Sequence, residues 1–264
     1  MGGLLVVWRG LDWAVVGVGL FLAAGLHGDL RTGDGAGRMT GDAPRVILWA
    51  WEEPEDLRAA DPRQVGVAFL AERASVGKDV AVVPRRQRIL TPEGMWAEAV
   101  VRIEPGRDFE DSTATRKGTA EAVLQAARLS GVRGVQVDFD AAESQRPFYA
   151  DVLRQVRAGL PRGVRLEMTA LVSWCSQQQG WMRALPVDAA VPMYFRLGEH
   201  VGWWGVREPL CEGSVGVAID EPAMPSESLN GGPRVYVFAP RPWTPEQLTE
   251  LNDGTIPQDR RGAR

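Results

Sequence analysis

The sharpest chemical signal in the chain is a run of eight residues, Arg133 to Asp140, reading RGVQVDFD. Side chains alternate along an extended strand, so Gln136, Asp138 and Asp140 share one face, about 6.6 Å apart per two-residue step. Two carboxyls and an amide held in a row away from water drive their pKa values upward and apart, by desolvation and mutual repulsion. One carboxyl then keeps its proton near neutral pH, which is what a general acid requires. The bland alternative is that aspartates at a strand end open the following loop.

Other apolar runs end in the same way. RVILWAW leads into Trp51-Glu52-Glu53, VGVAFLAE ends in Glu72, AEAVVRI leads to Glu104, and VGVAI leads to Asp220-Glu221. Two further runs deliver Ser173-Trp174 and Tyr194-Phe195-Arg196. Carboxylates and aromatics protonate glycosidic oxygens and stack on sugar rings. Ten Trp against three Tyr is an unusual ratio, and Trp51, Trp174 and the pair Trp203-Trp204 are the candidate sugar platforms. Trp49 and Trp51 point the same way along the first strand, and at least one of them reads as core. Arg196 either pairs with a rim carboxylate or ligand anion, or is a surface arginine after a strand.

These residues need a scaffold that gathers strand ends. Eight strands are expected, at 45–51, 65–72, 97–103, 134–139, 165–173, 189–194, 215–219 and 234–238, each bounded by turn residues. The segment VGKDVAVV after the second reads as a small hairpin. Helices are expected over Thr113 to Leu129, from Pro147 through Phe148, Val152 and Val156, and after the capping box Thr244-Pro245-Glu246-Gln247. Strands alternating with helices, with near-continuous apolar strands, imply a parallel α/β sheet covered on both faces. Eight of them imply a (β/α)8 TIM barrel, compact and partly trimmed, because no helical period follows strands one, six and seven. A doubly wound open sheet is the competing architecture. There is no internal repeat and no GxGxxG after a strand.

The barrel domain is expected over 45–251, followed by a disordered tail at 252–264. Ahead of it, Gly28 to Pro44 reads as a flexible linker, too poor in apolar residues to offset its ordering entropy. Residues 1–27 contain the apolar run Trp13 to Leu26, too short for the roughly 20 residues of a membrane span. It reads as a secretory signal or an uncleaved membrane anchor, with a mis-assigned start or a buried helix as the alternative. Export would permit a disulfide between Cys175 and Cys211, the only cysteines; in the cytosol they would be two buried thiols. One such pair, with His27 and His200 far apart, makes no metal site, and no cofactor is expected. With 30 Lys+Arg against 34 Asp+Glu the formal charge is −4, which argues against nucleic acid as a partner. Nothing in the sequence indicates an oligomeric state.

RGVQVDFD resembles the fourth-strand motif of family 18 chitinases, with Gly134, Val135, Val137, Asp138 and Phe139 matching. Asp140 stands where that motif has its catalytic Glu, Gln136 replaces an Asp, and Arg133 replaces the leading Asp. VPMYF is similar to that family's sixth-strand segment, which implies for Tyr194 a substrate-positioning role, although Phe195 replaces its acidic neighbour. Across Arg45 to Arg196 the chain also resembles a bacterial family known as a domain of unknown function (number 3142). That resemblance implies a glycoside-hydrolase-like barrel, mostly exported, and no assigned catalytic residues.

Two glycosidase schemes follow. In one, Asp140 is the acid, Asp138 orients and stabilises it, Tyr194 holds an acetamido group, and the substrate's own carbonyl is the nucleophile. In the other, Asp140 is acid/base and Glu221 the nucleophile, about 5–5.5 Å away for retention or about 6.5–9.5 Å for inversion, with Glu104 a spare partner. Gln136, Trp51, Trp174 and Arg196 complete the expected substrate-binding set. The alternatives are a carbohydrate-binding pseudoenzyme, suggested by Asp in place of Glu at 140, and a cell-envelope interaction protein using a Trp203-Trp204 patch. A serine hydrolase is poorly supported, since GxSxG is absent.

Overall fold

The structure, a computed structural model, describes residues 43–176, 180–197, 205–221 and 232–258. The expected signal or anchor segment, nearly all of the linker, His200 and Trp203-Trp204 lie outside the described residues. The strands are β1 (Val46–Ala50), β2 (Glu55–Asp56), β3 (Val65–Val76), β4 (Val80–Pro84), β5 (Ile89–Leu90), β6 (Ala97–Pro105), β7 (Val132–Asp138), β8 (Arg165–Leu171), β9 (Ala189–Met193), β10 (Ser214–Ala218) and β11 (Arg234–Phe238). The helices are α1 (Thr113–Ala126), α2 (Arg146–Gly159), α3 (Val172–Ser176) and α4 (Pro245–Asn252).

Eight parallel strands run in the order β1-β11-β10-β9-β8-β7-β6-β3, and β1 pairs with β3 to close the ring. Closure is by full ladders: β1 matches Val46 to Trp49 against Val235 to Phe238 on one side, and Val46 to Ala50 against Val65 to Phe69 on the other. The chain is a closed (β/α)8-type barrel, and the open-sheet alternative is excluded. The alternation seen in the sequence separates two cores. Ile47, Trp49, Ala68, Trp96, Val100, Val191 and Tyr236 fill the barrel, whereas Leu48, Ala50, Val65, Val67 and Phe69 pack outward with the helices.

The helices begin where their caps dictate. Ser112 accepts from the Thr115 amide at 3.2 Å while Thr115 Oγ1 accepts from the Ser112 amide at 3.0 Å, opening α1. Thr244 and Gln247 do the same for α4. Phe148, Val152 and Val156 are fully buried along α2, and α2 lies so close to α1 that a Cβ on Gly159 would sit 2.7 Å from Leu124 Cδ1.

β3 outruns β1, and the antiparallel β4 takes over its edge from Glu72 onward, so the hairpin foreseen in the sequence is part of the sheet. The seam is stapled by Arg85, whose amide donates to Ala71 O and whose guanidinium donates to Gln87 O, Ala50 O and Glu53 O. Strand β8 ends at Leu171, before the expected 173, and the chain turns at once into the short α3. At the C-terminal end the described chain stays on the barrel past 251: Asn252 Nδ2 donates to Ala59 O, and Ile256 packs on the outer core. Among the described residues no helix is long and apolar enough to cross a membrane.

Candidate active site at the barrel mouth

The C-terminal ends of the parallel strands, where α/β barrels carry their chemistry, hold a cavity of about 190 Å³ lined by Trp49, Trp51, Arg102, Asp138, Thr169, Met193, Phe195, Arg196 and Phe238. Its volume is below the roughly 300–1,000 Å³ of most ligand pockets, so it fits one small ring or the end of a longer ligand. The walls are aromatic. Phe195 and Phe238 stack in parallel with centroids 5.6 Å apart, and Trp49 meets Phe195 edge-on at 5.8 Å. Trp49 is pinned by its indole N–H, which donates to Gln136 Oε1 at 2.8 Å. Trp51, one strand step on, is half-buried and lines the cavity beside it.

Asp138 closes β7 from inside the barrel. Its Oδ1 accepts from Thr169 Oγ1 at 2.8 Å and its Oδ2 from Arg102 Nη1 at 2.6 Å, so both oxygens are held. Arg102 lies on β6 directly beside Asp138 in the register. Its other nitrogens approach Glu104 and Asp140, each at 3.6 Å. One guanidinium thus gathers three of the expected site carboxylates. Asp140 is the most open of them, with 46% of its side chain exposed. Burial of its inner part, then the Asp138 charge, raise its pKa above the usual carboxylate value, with Arg102 opposing.

A second arginine organises the other side of the mouth. The Arg196 amide and Nη1 both donate to Glu221 Oε1, at 2.8 and 2.9 Å, and Nη2 donates to Asp220 Oδ2 at 2.8 Å. These bonds hold Arg196 at φ 59°, a left-handed conformation that costs a side-chain-bearing residue about 1–3 kcal/mol and persists where surrounding contacts enforce it. Glu221 is therefore fastened to an arginine that itself lines the cavity, and Glu221 is not among the lining residues.

Of the expected site residues, the structure brings Trp51, Asp138 and Arg196 to the cavity wall, with Asp140, Glu104 and Glu221 one arginine away. Gln136 lies deeper, fully buried against Trp49, and its Nε2 has no hydrogen-bond partner among the described residues. Trp174 is placed elsewhere. The early end of β8 puts it on α3, buried in the outer core and edge-on to Trp181 at 5.1 Å, with no face open as a sugar platform. Tyr194 packs on the outer core too, while its neighbours Met193 and Phe195 face the cavity; strand alternation allows only one of the two parities to point inward.

Arg102, Thr169 and Phe238 are not singled out by the sequence, and Phe195 is named there only as a strand-end aromatic. The signal for Arg102 was present: Glu98, Val100 and Arg102 alternate on β6 just as Gln136 and Asp138 do on β7. Cys175 and Cys211 form a disulfide, tying the end of α3 to the turn before β10 and closing the loop that carries Met193, Phe195 and Arg196. Among the described residues no group of three His, Cys, Asp or Glu side chains could hold a metal ion.

No curated protein matches the sequence. Among solved structures, the chain is similar to one titled "Crystal structure of the Bacillus cereus spore cortex-lytic enzyme SleL", at 18% identity and a TM-score of 0.45, over 68% of this chain and 52% of that one. The match spans about half the length of that neighbour. A family model described as "Domain of unknown function (DUF3142)" matches residues 94–190. The matched stretch runs from the start of β6 to β9 and carries Arg102, Asp138, Asp140 and Thr169.

Proposed function

We propose that the barrel mouth binds one end or one unit of a polysaccharide or amino-sugar glycan, in an exported glycoside-hydrolase-like protein whose acid is Asp140. The observation that carries the reading is the composition of the cavity wall. Trp49, Trp51, Phe195 and Phe238 supply flat apolar faces, and Asp138, Arg102, Thr169 and Arg196 supply polar groups at the same opening. Sugar rings present an apolar face and a polar edge, which is the complement of such a wall. Asp140 is favoured as the acid because burial and Asp138 help it keep a proton, and because its exposed side leaves it open to a ligand. Export is supported by the disulfide and by the apolar run near the N-terminus.

The two glycosidase schemes fare differently. Substrate-assisted cleavage loses Tyr194 as the acetamido holder, since Tyr194 packs outward. The two-carboxylate scheme requires Glu221 to leave two hydrogen bonds from Arg196 before it can attack. That pairing, together with the saturated Asp138, specifically favours the second reading, a carbohydrate-binding protein without turnover.

One experiment separates them. The full chain is incubated with chitin, peptidoglycan and neutral glucan oligosaccharides while binding and new reducing ends are both followed. Turnover that disappears in Asp140→Asn, with the melting temperature kept, supports the glycosidase. Binding without new reducing ends selects the non-catalytic reading, and undiminished hydrolysis in Asp140→Asn removes that residue from the mechanism.

A further inference from the structure

A second cavity, of about 170 Å³, lies at the seam where β4 succeeds β1 along β3. Its walls are apolar at Leu70, Val83 and Pro84, and polar at Glu52, Glu72, Arg73 and Gln87. Glu72 is the unusual member. It follows a bulge in β3, where the register against β6 shifts between Leu70 and Glu72, and such bulges re-aim side chains beside functional sites. Only 2% of the residue is exposed, yet its Oε1 has no hydrogen-bond partner among the described residues. Three arginines line the cavity with it, and none bonds Glu72: Arg73 pairs with Glu52, Arg85 donates to the carbonyls of Ala50, Glu53 and Gln87, and Arg86 makes no hydrogen bond or ion pair to it. A buried carboxyl without a partner destabilises a fold, and a leucine would serve packing better.

We propose that this seam cavity is a second saccharide-binding subsite, in which Glu72 hydrogen-bonds the hydroxyls of the sugar unit next to the one held in the central cavity. The two cavities share no lining residue but draw on consecutive or register-paired ones. Trp51 lines one and Glu52 the other; Arg102 lines one, and Arg73, its direct partner across β3 and β6, lines the other. A linear ligand crossing this wall meets an apolar face at Leu70, Val83 and Pro84 and a carboxyl at its polar edge. Burial alone pushes the Glu72 pKa up to about 7, so below that pH the group offers an O–H as well as an acceptor, matching a sugar hydroxyl that needs both.

The inference rests on the saccharide reading of the central cavity, and the test keeps the two apart. Calorimetric titration of the full chain uses chitin-derived and cellulose-derived oligosaccharides, from disaccharide to hexasaccharide, against wild type, Glu72→Leu, Glu72→Gln and Trp51→Ala. The subsite predicts that wild-type affinity climbs with length and that Glu72→Leu loses about tenfold on the longer ligands only, a loss typical of one hydrogen bond to a charged or strongly polar group. Glu72→Gln, which can still donate and accept, should recover part of that loss, and a raised melting temperature for Glu72→Leu would show that the variant folds. Equal length dependence in wild type and Glu72→Leu, with binding lost in Trp51→Ala, overturns the subsite and leaves the central reading standing. An equal loss at every length also overturns it. No binding of any oligosaccharide by wild type overturns both.

Discussion

The opposite end of the barrel carries a buried acid whose protonation can be read from hydrogen-bond arithmetic. Tyr236 has one hydroxyl proton, yet its oxygen lies 2.9 Å from Glu98 Oε2 and 2.5 Å from Glu167 Oε2. Glu167 is also paired with Arg165 Nε at 2.9 Å and Arg234 Nη1 at 3.2 Å. The Tyr236 proton therefore goes to Glu167, and the contact to Glu98 is a hydrogen bond only if Glu98 supplies its own proton. Glu98 Oε1 meanwhile accepts from the Trp96 indole at 2.8 Å, as a carbonyl oxygen should. Burial, and then the Glu167 charge, push the Glu98 pKa up to about 8 from its usual 4.5. Between those two values the folded chain holds a proton that the unfolded chain has lost, so stability falls as pH rises. The slope is about 1.4 kcal/mol per pH unit, and the whole window is worth on the order of 4–5 kcal/mol. Below the unfolded value the term is constant, with the stabilisation fully present.

Glutamine reproduces the protonated carboxyl, accepting from Trp96 and donating to Tyr236. Urea denaturation of wild type and Glu98→Gln from pH 5 to 8.5 should give similar stability at the acid end. At the upper end the variant should be the more stable, its pH slope shallower by about 1.4 kcal/mol per unit. Parallel slopes in the two proteins would refute the proton assignment. So would a variant destabilised by several kcal/mol at pH 5.

The rest of the framework makes further predictions. A Cβ on Gly216 would lie 2.6 Å from Trp49 Cη2 and 2.9 Å from Cζ3, so Gly216→Ala should cost about 1–3 kcal/mol by overpacking and displace the cavity's Trp49 wall; an unchanged melting temperature would show that the ring has room. Opening the Cys175–Cys211 bridge, which spans 36 positions, should lower stability by about 3–4 kcal/mol, read as the difference between wild type and the Cys175→Ser/Cys211→Ser double variant in denaturant. Arg102→Met strips Asp138 of its ion pair and leaves a carboxylate that is 3% exposed with only Thr169, a change expected to destabilise by about 3–5 kcal/mol at neutral pH. Pairing the substitution with Asp138→Asn should restore most of that loss, and a double variant no better than the single one would contradict the pairing.

Much of the scaffold was legible because barrel strands announce themselves as short apolar runs between turns, and because Pro147 and the Thr244 capping box mark helix starts by local chemistry. What escaped was set by long-range events. The end of β8 depends on α3 packing Trp174 against Trp181, a contact that periodicity along 165–173 does not contain. The extension of β3 past Glu72 depends on β4 supplying a new edge, and no local signal marks where β1 stops. At the site, Gln136 and Asp138 were found by alternation, and the same alternation turns Tyr194 away from the mouth and Phe195 into it. The arginines were harder, because a carboxylate row on one strand does not reveal which neighbouring strand neutralises it. Arg102 does so through the β6–β7 register; for Arg196 a rim carboxylate was one of the partners the sequence offered, and the fold identifies it as Glu221, with Asp220 beside it.

The central claim is that a saccharide occupies the aromatic cavity at the barrel mouth. Its most direct test is a titration of the full chain with oligosaccharides from chitin, peptidoglycan and neutral glucans, following the assigned indole N–H signals of individual tryptophans by NMR. The account predicts that Trp51 and Trp49 shift with at least one of these ligands while Trp174, Trp181 and Trp243, buried or packed in the outer core, stay where they are. Shifts confined to the outer-core tryptophans, or no shift with any ligand of the panel, would contradict it.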